Sequence, residues 1–291
     1  MIQLEKSQFE VPWCETISVL DRSQKIDKLI PENLHNSFWE KAYDLFTKGY
    51  TRIDLKLKKE FTDRLKNNLE NFITSGEAKK NPKFYHYNEH PRIVEAWKSI
   101  AEVKDLANNQ LILSFLRFCY KKEPLPFSTI NFKKGTEQPL HSDYIHFGSI
   151  PEKFLAASWT ALEDIDVNQG PLQIAVASHK LPIIDFPTLN LAIPKTNKEI
   201  KTNYQRYEKF LERLIKINGL VVKDLLVKRG ESIIWLANSL HGGARVLDFS
   251  KTRYSQVTHY HFEGCKYYNP NFSDRYKGNI VFREISEHII K

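Results

Sequence analysis

Short runs of β-branched and aromatic residues, separated by glycine, proline and asparagine, make up most of the sequence from about residue 127 onward. Such runs predict short strands joined by turns, and a series of them favours an antiparallel barrel or sandwich. The candidate strands are residues 127–133, 154–163, 171–177, 219–228, 231–236 and 254–262. The core of the protein is therefore expected to be β-sheet.

The first third of the chain has a mainly helical pattern instead. Apolar residues recur at spacings of three and four within residues 34–49 and 61–76, and each of these segments ends at a glycine. Residues 50–55 alternate as a short strand does, and another helix is predicted over residues 93–107. We assign these apolar and aromatic residues to the core rather than to chemistry.

Residues 197–217 again carry apolar residues at helical spacing and predict a helix inserted between strands. Insertions of this kind often act as lids or substrate walls, so we expect this one near the mouth of the β core. No change of composition marks a linker, and there is no internal repeat. We expect a single domain, residues 1–291, with a mainly helical support in residues 1–125 and a β core in residues 126–265 that carries an insertion at residues 185–218.

Charge and cysteine content limit the partners and the compartment. There are 43 lysines and arginines against 35 acidic residues, a formal charge of +8, but the excess is diffuse and no nucleic-acid-binding motif accompanies it. We expect no nucleic-acid partner and interpret the charge as favouring an anionic small-molecule substrate.

Cys14, Cys119 and Cys265 lie far apart and suggest neither a disulfide framework nor a thiolate zinc site. No apolar stretch approaches the ~18 residues of a membrane span, and the first residues do not resemble an export signal. A cytoplasmic protein without a membrane partner is the expectation.

The stretch PLHSDYIH, residues 139–146, contains a candidate metal site. On a strand, His141 and Asp143 would share one face and reach the same ion. A third ligand has to come from elsewhere, and His241 follows a predicted strand beside Gly242 and Gly243, which allow a close approach of the backbone. Two imidazoles and one carboxylate leave three metal positions open, as in non-haem Fe(II) oxygenases.

Arg253 lies twelve residues after His241, at the start of the last predicted strand. The cosubstrate 2-oxoglutarate would fill two of the open positions on Fe(II), leave one for O₂, and need a cation for its far carboxylate, which a planar guanidinium suits. A His-x-Asp pair alone is often an ordinary polar pair on a strand. Its combination with His-Gly-Gly and a later arginine is what favours the metal site.

Four blocks of the sequence resemble the phytanoyl-CoA dioxygenase family of Fe(II)/2-oxoglutarate oxygenases. They are GTEQPLHSD (135–143), WTALEDIDVNQGPLQIAVASHKLP (159–182), GESIIWLANSLHGGARV (230–246) and TRYSQVTHY (252–260). The resemblance implies a double-stranded β-helix, the jelly roll of cupins, with flanking N-terminal helices. It also implies an enzyme that hydroxylates an aliphatic C–H bond of a small metabolite and releases succinate and CO₂.

The resemblance also assigns residues. His141, Asp143 and His241 would bind iron, and Arg253 would hold the distal carboxylate of 2-oxoglutarate. Trp159 would line the cosubstrate pocket, Thr129 and Asn131 would contact the cosubstrate from the strand before the motif, and Ser255 would assist Arg253, although an outward-facing strand serine is an equally simple interpretation. One departure is that Val176-Ala177-Ser178-His179 lacks the glycine that the family usually has at the turn.

Several alternatives stay open from the sequence. The same iron site serves desaturation, epimerisation or an oxidation without 2-oxoglutarate in principle, and a jelly roll can also be a binding protein without activity. Asp143 argues against halogenation, because halogenating relatives carry a small residue there. Tyr144 and His146 are candidate substrate contacts, His179 either fixes a loop or takes part in catalysis, and His259 and His261 are interpreted as structural because no carboxylate partner is placed for them.

Overall fold

The computed structural model describes residues 35–80, 85–87, 90–283 and 289. Its helices are α1 (His35–Lys48), α2 (Lys59–Thr74), α3 (Glu77–Lys80), α4 (Ala101–Ala107), α5 (Gln110–Tyr120) and α6 (Asn197–Ile217). Its strands are β1 (Tyr50–Asp54), β2 (Tyr85–Tyr87), β3 (His90–Val94), β4 (Pro124–Phe132), β5 (Gly148–Ile150), β6 (Ala156–Ala161), β7 (Leu172–Ala175), β8 (Val222–Leu225), β9 (Glu231–Leu236), β10 (His241–Gly243), β11 (Ser255–Phe262) and β12 (Lys266–Tyr268). Cys14 and Leu34, which entered the sequence predictions, lie outside the described residues.

Two antiparallel sheets face each other across one cavity. Within the described residues the larger sheet has the strand order β1-β9-β6-β11-β4-β3-β2, and the smaller one has the order β10-β7-β8. Side chains of both sheets line the cavity, among them Trp159 and Val257 from the larger and Leu172 from the smaller. The remaining pair, β12 with β5, lies apart from both sheets.

The helices of the first third cover the outer face of the larger sheet. Because neighbouring side chains on a strand point to opposite faces, Ile234 and Tyr260 pack outward against Phe38, Leu65 and Phe115 of these helices. Each such fully buried side chain stabilises the fold by roughly 1.5–3 kcal/mol. The helices thereby hold in place the strands whose inner faces form the site.

The predicted strands and most predicted helices agree with the structure to within a few residues. The inserted helix has the predicted bounds, and it begins with a capping box in which Thr196 and Glu199 each accept a hydrogen bond from the other's backbone N–H. A wrong prediction concerns residues 93–107. Ile93 belongs to β3, where it pairs with Asn131 of β4, and α4 begins only at Ala101.

The chain before residue 126 contributes strands as well as helices. β1 pairs with β9, and β3 pairs with β4, so both belong to the same sheet as the predicted β core. The division at residue 125 stays a prediction about domain organisation. Within the described part of the chain, no helix is both long enough and apolar enough to cross a bilayer.

Candidate metal centre

His141 and His241 are brought together by the backbone. They form an isolated antiparallel bridge in which each N–H donates to the other's carbonyl at 2.9 Å. Because opposite residues of such a bridge place their side chains on one face, the two imidazole rings lie 4.6 Å apart between centroids. The bridge therefore aligns two ligands that are a hundred residues apart in the sequence.

Gly242 and Gly243 make this approach possible, as the sequence suggested. A Cβ atom on Gly242 would lie 2.5 Å from the carbonyl oxygen of Gln138, and one on Gly243 would lie 3.0 Å from the backbone nitrogen of Glu137. Any larger residue would push the two segments apart. The two glycines therefore pack against the residues that lead into His141.

Asp143 does not lie on a strand, which corrects the geometry assumed from the sequence. It opens a 3-10 turn, Asp143–Ile145, whose N-terminus is capped by Ser142: the Ser142 hydroxyl accepts from the Tyr144 N–H and donates to the carbonyl of Ala237. The turn still directs the carboxylate toward the histidines. Donor atoms of His141, Asp143 and His241 all lie within 4.8 Å of one another.

Both imidazoles present Nε2 to this centre. Nδ1 of His141 lies 3.0 Å from the carbonyl of Pro139, and Nδ1 of His241 lies 3.0 Å from the carbonyl of Ser239. Because a carbonyl only accepts, each Nδ1 carries a proton, and Nε2 is the nitrogen that can bind a metal; at His141 the Gln138 amide lies 3.2 Å from it. Burial, reinforced by His241, lowers the pKa of His141 to about 3, so this ring is neutral and ready to bind a metal.

Asp143 is contacted at both oxygens. The indole N–H of Trp235 donates to Oδ2 at 2.8 Å, whereas Oδ1 lies 3.6 Å from Nε2 of His241 and 3.5 Å from Nε2 of His259. Burial by itself raises the pKa of this carboxyl, but the two imidazoles outweigh it and hold the pKa below its usual value. The carboxylate is therefore charged without a metal.

His259 has a carboxylate partner after all, so the reason for interpreting it as structural, the lack of such a partner, does not hold. The pairing that brings it to Asp143 joins a strand to a distant loop, which no local pattern reports. His261 fits the earlier interpretation, because its ring is stacked between Phe127 and Tyr267 at 3.4 and 3.6 Å.

Arg253 is buried, with 3% of its surface exposed, at one end of the cavity. Its guanidinium lies between the rings of Phe132 and Trp159, at 5.7 and 5.5 Å, and donates to the carbonyl of Gly170 at 2.9 Å. Its Nε–H is buried without a hydrogen-bond partner. Burial, with Arg92 nearby, lowers its pKa to about 9, so it stays a cation at neutral pH and is suited to an anion.

The cavity has a volume of about 500 Å³ and contains the metal-ligand atoms and Arg253. Trp159 lines it, as predicted. Thr129 and Asn131 do not, because the cavity side of β4 is formed by their neighbours Ser128, Ile130 and Phe132. Asn131 instead donates to Gln256 on the other face at 3.1 Å. The prediction that Thr129 and Asn131 contact a cosubstrate is therefore wrong, because the register of β4 turns their neighbours toward the cavity instead.

Two further candidates also point away from the cavity. Ser255 donates to the backbone carbonyl of Arg253 at 3.3 Å rather than to its guanidinium. Tyr144 is fully buried, with its hydroxyl 2.7 Å from that of Tyr268. A 3-10 turn has three residues per turn, which puts His146 and not Tyr144 on the side of Asp143.

His146 lines the cavity, and burial lowers its pKa to about 4, so it is neutral. Its ring stacks on Tyr204 of α6 at 5.5 Å. His179 lies outside the cavity lining, and its Nε2 contacts the carbonyl of Phe46 at 3.0 Å, which agrees with the loop-fixing alternative.

Helix α6 supports the metal site from behind. The Tyr207 hydroxyl accepts the backbone N–H of Ser142, between two metal-binding residues, at 3.2 Å. No described residue of α6 is among those that line the cavity. The helix nevertheless lies beside the cavity, because Tyr204 stacks on His146, and its expected place near the mouth stays a prediction.

The cavity residues missed from the sequence include the polar or charged side chains of Arg92, Gln138, Trp235 and Arg283. Gln138 and Trp235 lie inside the quoted blocks, so their position was a usable signal. Arg92 donates to Gln138 at 2.5 Å, and the Gln138 amide nitrogen lies 3.2 Å from Nε2 of His141. Arg92 and Arg283 lie outside every block, and only the folded chain brings them to the site.

A sequence profile of the family "Phytanoyl-CoA dioxygenase (PhyH)" matches residues 39–247. The peroxisomal phytanoyl-CoA dioxygenase of Rattus norvegicus is 28% identical over 140 residues, which are 46% of this chain and 36% of that protein. The protein of the same name from Bos taurus is 28% identical over 115 residues, 39% of this chain and 30% of that protein. The match thus spans about a third of the length of these relatives.

Solved structures share the fold. EctD from S. alaskensis in its apo form has a TM-score of 0.62 and 15% identity, covering 92% of this chain and 89% of that chain. The non-haem α-ketoglutarate-dependent epimerase SnoN from nogalamycin biosynthesis has a TM-score of 0.61 and 13% identity, covering 80% and 86%. The prediction of a jelly roll with flanking helices is confirmed.

Proposed function

The chain belongs to the phytanoyl-CoA dioxygenase family, and from that premise we propose that it is an oxygenase dependent on Fe(II) and 2-oxoglutarate that uses O₂ to hydroxylate an aliphatic C–H bond of a small metabolite. The convergence of His141, Asp143 and His241 within 4.8 Å carries the proposal. Two imidazoles and one carboxylate match the facial ligand set of such enzymes, which leaves metal positions open for cosubstrate and O₂.

The donor set fits the metal, and a buried cation fits the cosubstrate. His141 and His241 would bind Fe(II) through Nε2, because their Nδ1 atoms are occupied by carbonyls. Arg253 would hold the distal carboxylate of 2-oxoglutarate through donors that include its unpartnered Nε–H. When bound, the metal and the 2-oxo acid supply the oxidising chemistry, with release of succinate and CO₂ and delivery of oxygen to the substrate.

The other proposed roles of the protein are to position the bound groups and to exclude water from them. Trp159 and Phe132 enclose the guanidinium of Arg253, so that a carboxylate bound there is shielded from solvent. Asp143 is held by the indole of Trp235, which fixes the orientation of the carboxylate before a metal arrives. Because that carboxylate occupies a ligand position, the site favours hydroxylation over halogenation.

We place the protein in the cytoplasm as part of this proposal. Within the described residues Cys119 and Cys265 form no disulfide, and Cys119 is buried, which suits a reducing compartment. The curated relatives carry peroxisomal names, so the compartment needs its own test. Imaging of a tagged full-length chain would separate the two locations.

The first prediction tests the metal site. Asp143→Ala should abolish substrate-stimulated succinate release in the presence of Fe(II) and 2-oxoglutarate, because it removes the only anionic ligand of the described cluster. Succinate is measured by mass spectrometry with and without a metabolite extract. The product mass in the same samples separates hydroxylation, which adds an oxygen atom, from desaturation and from epimerisation.

Asp224→Ala is the matched control, because Asp224 is an exposed aspartate on the edge strand β8. It should release succinate as the wild type does. Equal release from Asp143→Ala and wild type, above a sample without protein, would contradict the iron assignment.

A further inference from the structure

The cavity keeps a positive charge that the metal and cosubstrate do not neutralise. Among the described residues that line it, Arg92, Arg253 and Arg283 are cations, whereas Asp143 and Glu95 are anions. Glu95 also lies 3.4 Å from Lys98. Because a divalent metal and a 2-oxoglutarate dianion cancel each other, at least one guanidinium charge remains for another ligand.

Arg253 and Arg283 lie at opposite ends of the cavity. Arg253 contacts Phe132 at the end of β4. The guanidinium of Arg283 lies 4.7 Å from the ring of Phe147, which in turn lies 5.2 Å from Phe127 near the start of the cavity side of β4. Phe127 and Phe132 lie five positions apart on β4, which corresponds to at most roughly 16 Å because the pairing of β4 with β11 is bulged at Phe127.

The proposed metal ligands lie toward the end of the cavity that contains Arg283. Asp143 contacts His259, whose ring is 5.2 Å from Phe147. A cosubstrate that reaches from the metal to Arg253 therefore extends away from Arg283. The space between Arg283 and the metal is left for the substrate.

Arg283 has donors to offer. Its backbone N–H donates to the carbonyl of Tyr267 at 2.8 Å, which fixes the segment, but its side chain donates only to the carbonyl of His146 at 3.5 Å. No carboxylate pairs with it within the described chain. A guanidinium has five N–H donors in a planar fork, so most of those on Arg283, which lines the cavity, have no acceptor among the described residues.

We infer, on the premise of the proposed function, that the substrate is an organic anion whose carboxylate or phosphate group binds Arg283. An apolar part of the substrate lies against Phe127 and Phe147, and the reacting C–H bond lies beyond it, beside the metal. The two aromatic rings meet edge to face at 5.2 Å and form an apolar wall between the cation and the metal ligands.

Equilibrium dialysis tests this inference without turnover. The full chain is loaded with Ni(II) and 2-oxoglutarate and dialysed against a library of carboxylic acids and phosphate monoesters, each with the amide or alcohol of the same carbon skeleton. The wild type should retain acids over their neutral counterparts, and the members retained tell carboxylate from phosphate. Arg283→Gln should lower that retention at least about ten-fold, and Arg283→Lys should lower it less.

Arg206→Gln is the matched control, because Arg206 is exposed on α6 outside the cavity lining. It should retain the acids as the wild type does, and all variants should retain 2-oxoglutarate equally. Preferential retention of neutral compounds, or retention of acids by Arg283→Gln equal to that by wild type, overturns the inference. Loss of 2-oxoglutarate from every protein would instead contradict the proposed function.

Discussion

Asp143 is oriented so that it offers one oxygen to a metal. The indole of Trp235 occupies Oδ2 at 2.8 Å, and the imidazole of His241 approaches Oδ1. A carboxylate held in this way binds a metal through a single oxygen, which keeps the other metal positions open. The chemistry of the site thus depends on an indole N–H that is not itself a ligand.

Ala177 stands where the family usually has a glycine, and it has the backbone conformation that a glycine would favour. Its φ of 63° and ψ of 11° lie in the left-handed region, which costs an L-residue roughly 1–2 kcal/mol. Its backbone N–H is held by the carbonyl of Lys48 at 2.8 Å, so the turn cannot relax easily. The departure from the family pattern is therefore a point of strain next to Ser178 and His179.

Ala177→Gly should raise the free energy of unfolding by about 0.5–1 kcal/mol. The relief of the left-handed strain exceeds the extra entropy that glycine gives the unfolded chain. Urea denaturation measures the change. Ala192→Gly, at an exposed alanine without positive φ, should lower the free energy of unfolding instead. A loss of stability in Ala177→Gly would show that the turn is not strained.

Besides the contact of Trp235 in β9 with Asp143, two elements hold the segment that carries His141 and Asp143. β10 holds it through the bridge between His141 and His241, and α6 holds it through the hydroxyl of Tyr207. The Tyr207 contact satisfies the buried N–H of Ser142 between the two ligands. The inserted helix therefore acts on the metal site through one hydrogen bond.

Tyr207→Phe should weaken Ni(II) or Mn(II) binding to the full chain by several-fold. The variant leaves the Ser142 N–H buried without an acceptor, which costs about 1–3 kcal/mol, and the segment is then free to shift. Isothermal titration calorimetry measures the metal affinity. Tyr43→Phe, at an exposed tyrosine of α1, is the matched control and should bind as the wild type does. Unchanged metal affinity in Tyr207→Phe would restrict α6 to a packing role.

Element types were predictable because they depend on local pattern. Alternation gave most strands, and helical spacing gave α6 with its bounds. Ile93 was assigned to a helix because an apolar residue near a helical pattern gives no sign that it will pair with β4. Thr129 and Asn131 were placed in the cavity because the face of a strand depends on register, which pairing between distant strands decides.

Over the whole molecule, the clustering of His141, Asp143 and His241 in one cavity with Arg253 was predictable because the family blocks contain all four. His259 and Arg283 were not, since their relevance comes from contacts across the fold: His259 reaches Asp143, and Arg283 reaches Phe147. Neither contact leaves a pattern in the residues around it. The end of the cavity that contains Arg253 was therefore easier to predict than the end that contains Arg283.

Buried neutral histidines couple the stability of the whole fold to pH. Burial lowers the pKa of His146 and of His179 to about 4 each, from the ordinary value of 6.5. Between these values the unfolded chain binds protons that the folded chain does not. The free energy of unfolding should therefore fall as pH drops from about 6.5 toward 4, by up to roughly 3 kcal/mol for each histidine.

His179→Gln tests how much of this pH dependence comes from His179. The glutamine amide can donate to the carbonyl of Phe46, which lies 3.0 Å from His179 Nε2, but it does not titrate. Urea denaturation of wild type and variant at pH 7.5, 6, 5 and 4.5 gives the free energy of unfolding at each pH. The variant should lose less stability between pH 6.5 and 4.5, because its unfolded chain takes up about one proton fewer. The difference at pH 7.5 measures the effect of the substitution apart from titration. Parallel curves for the two proteins would mean that His179 has the same pKa in the folded and unfolded chains, in which case its burial contributes nothing to the pH dependence.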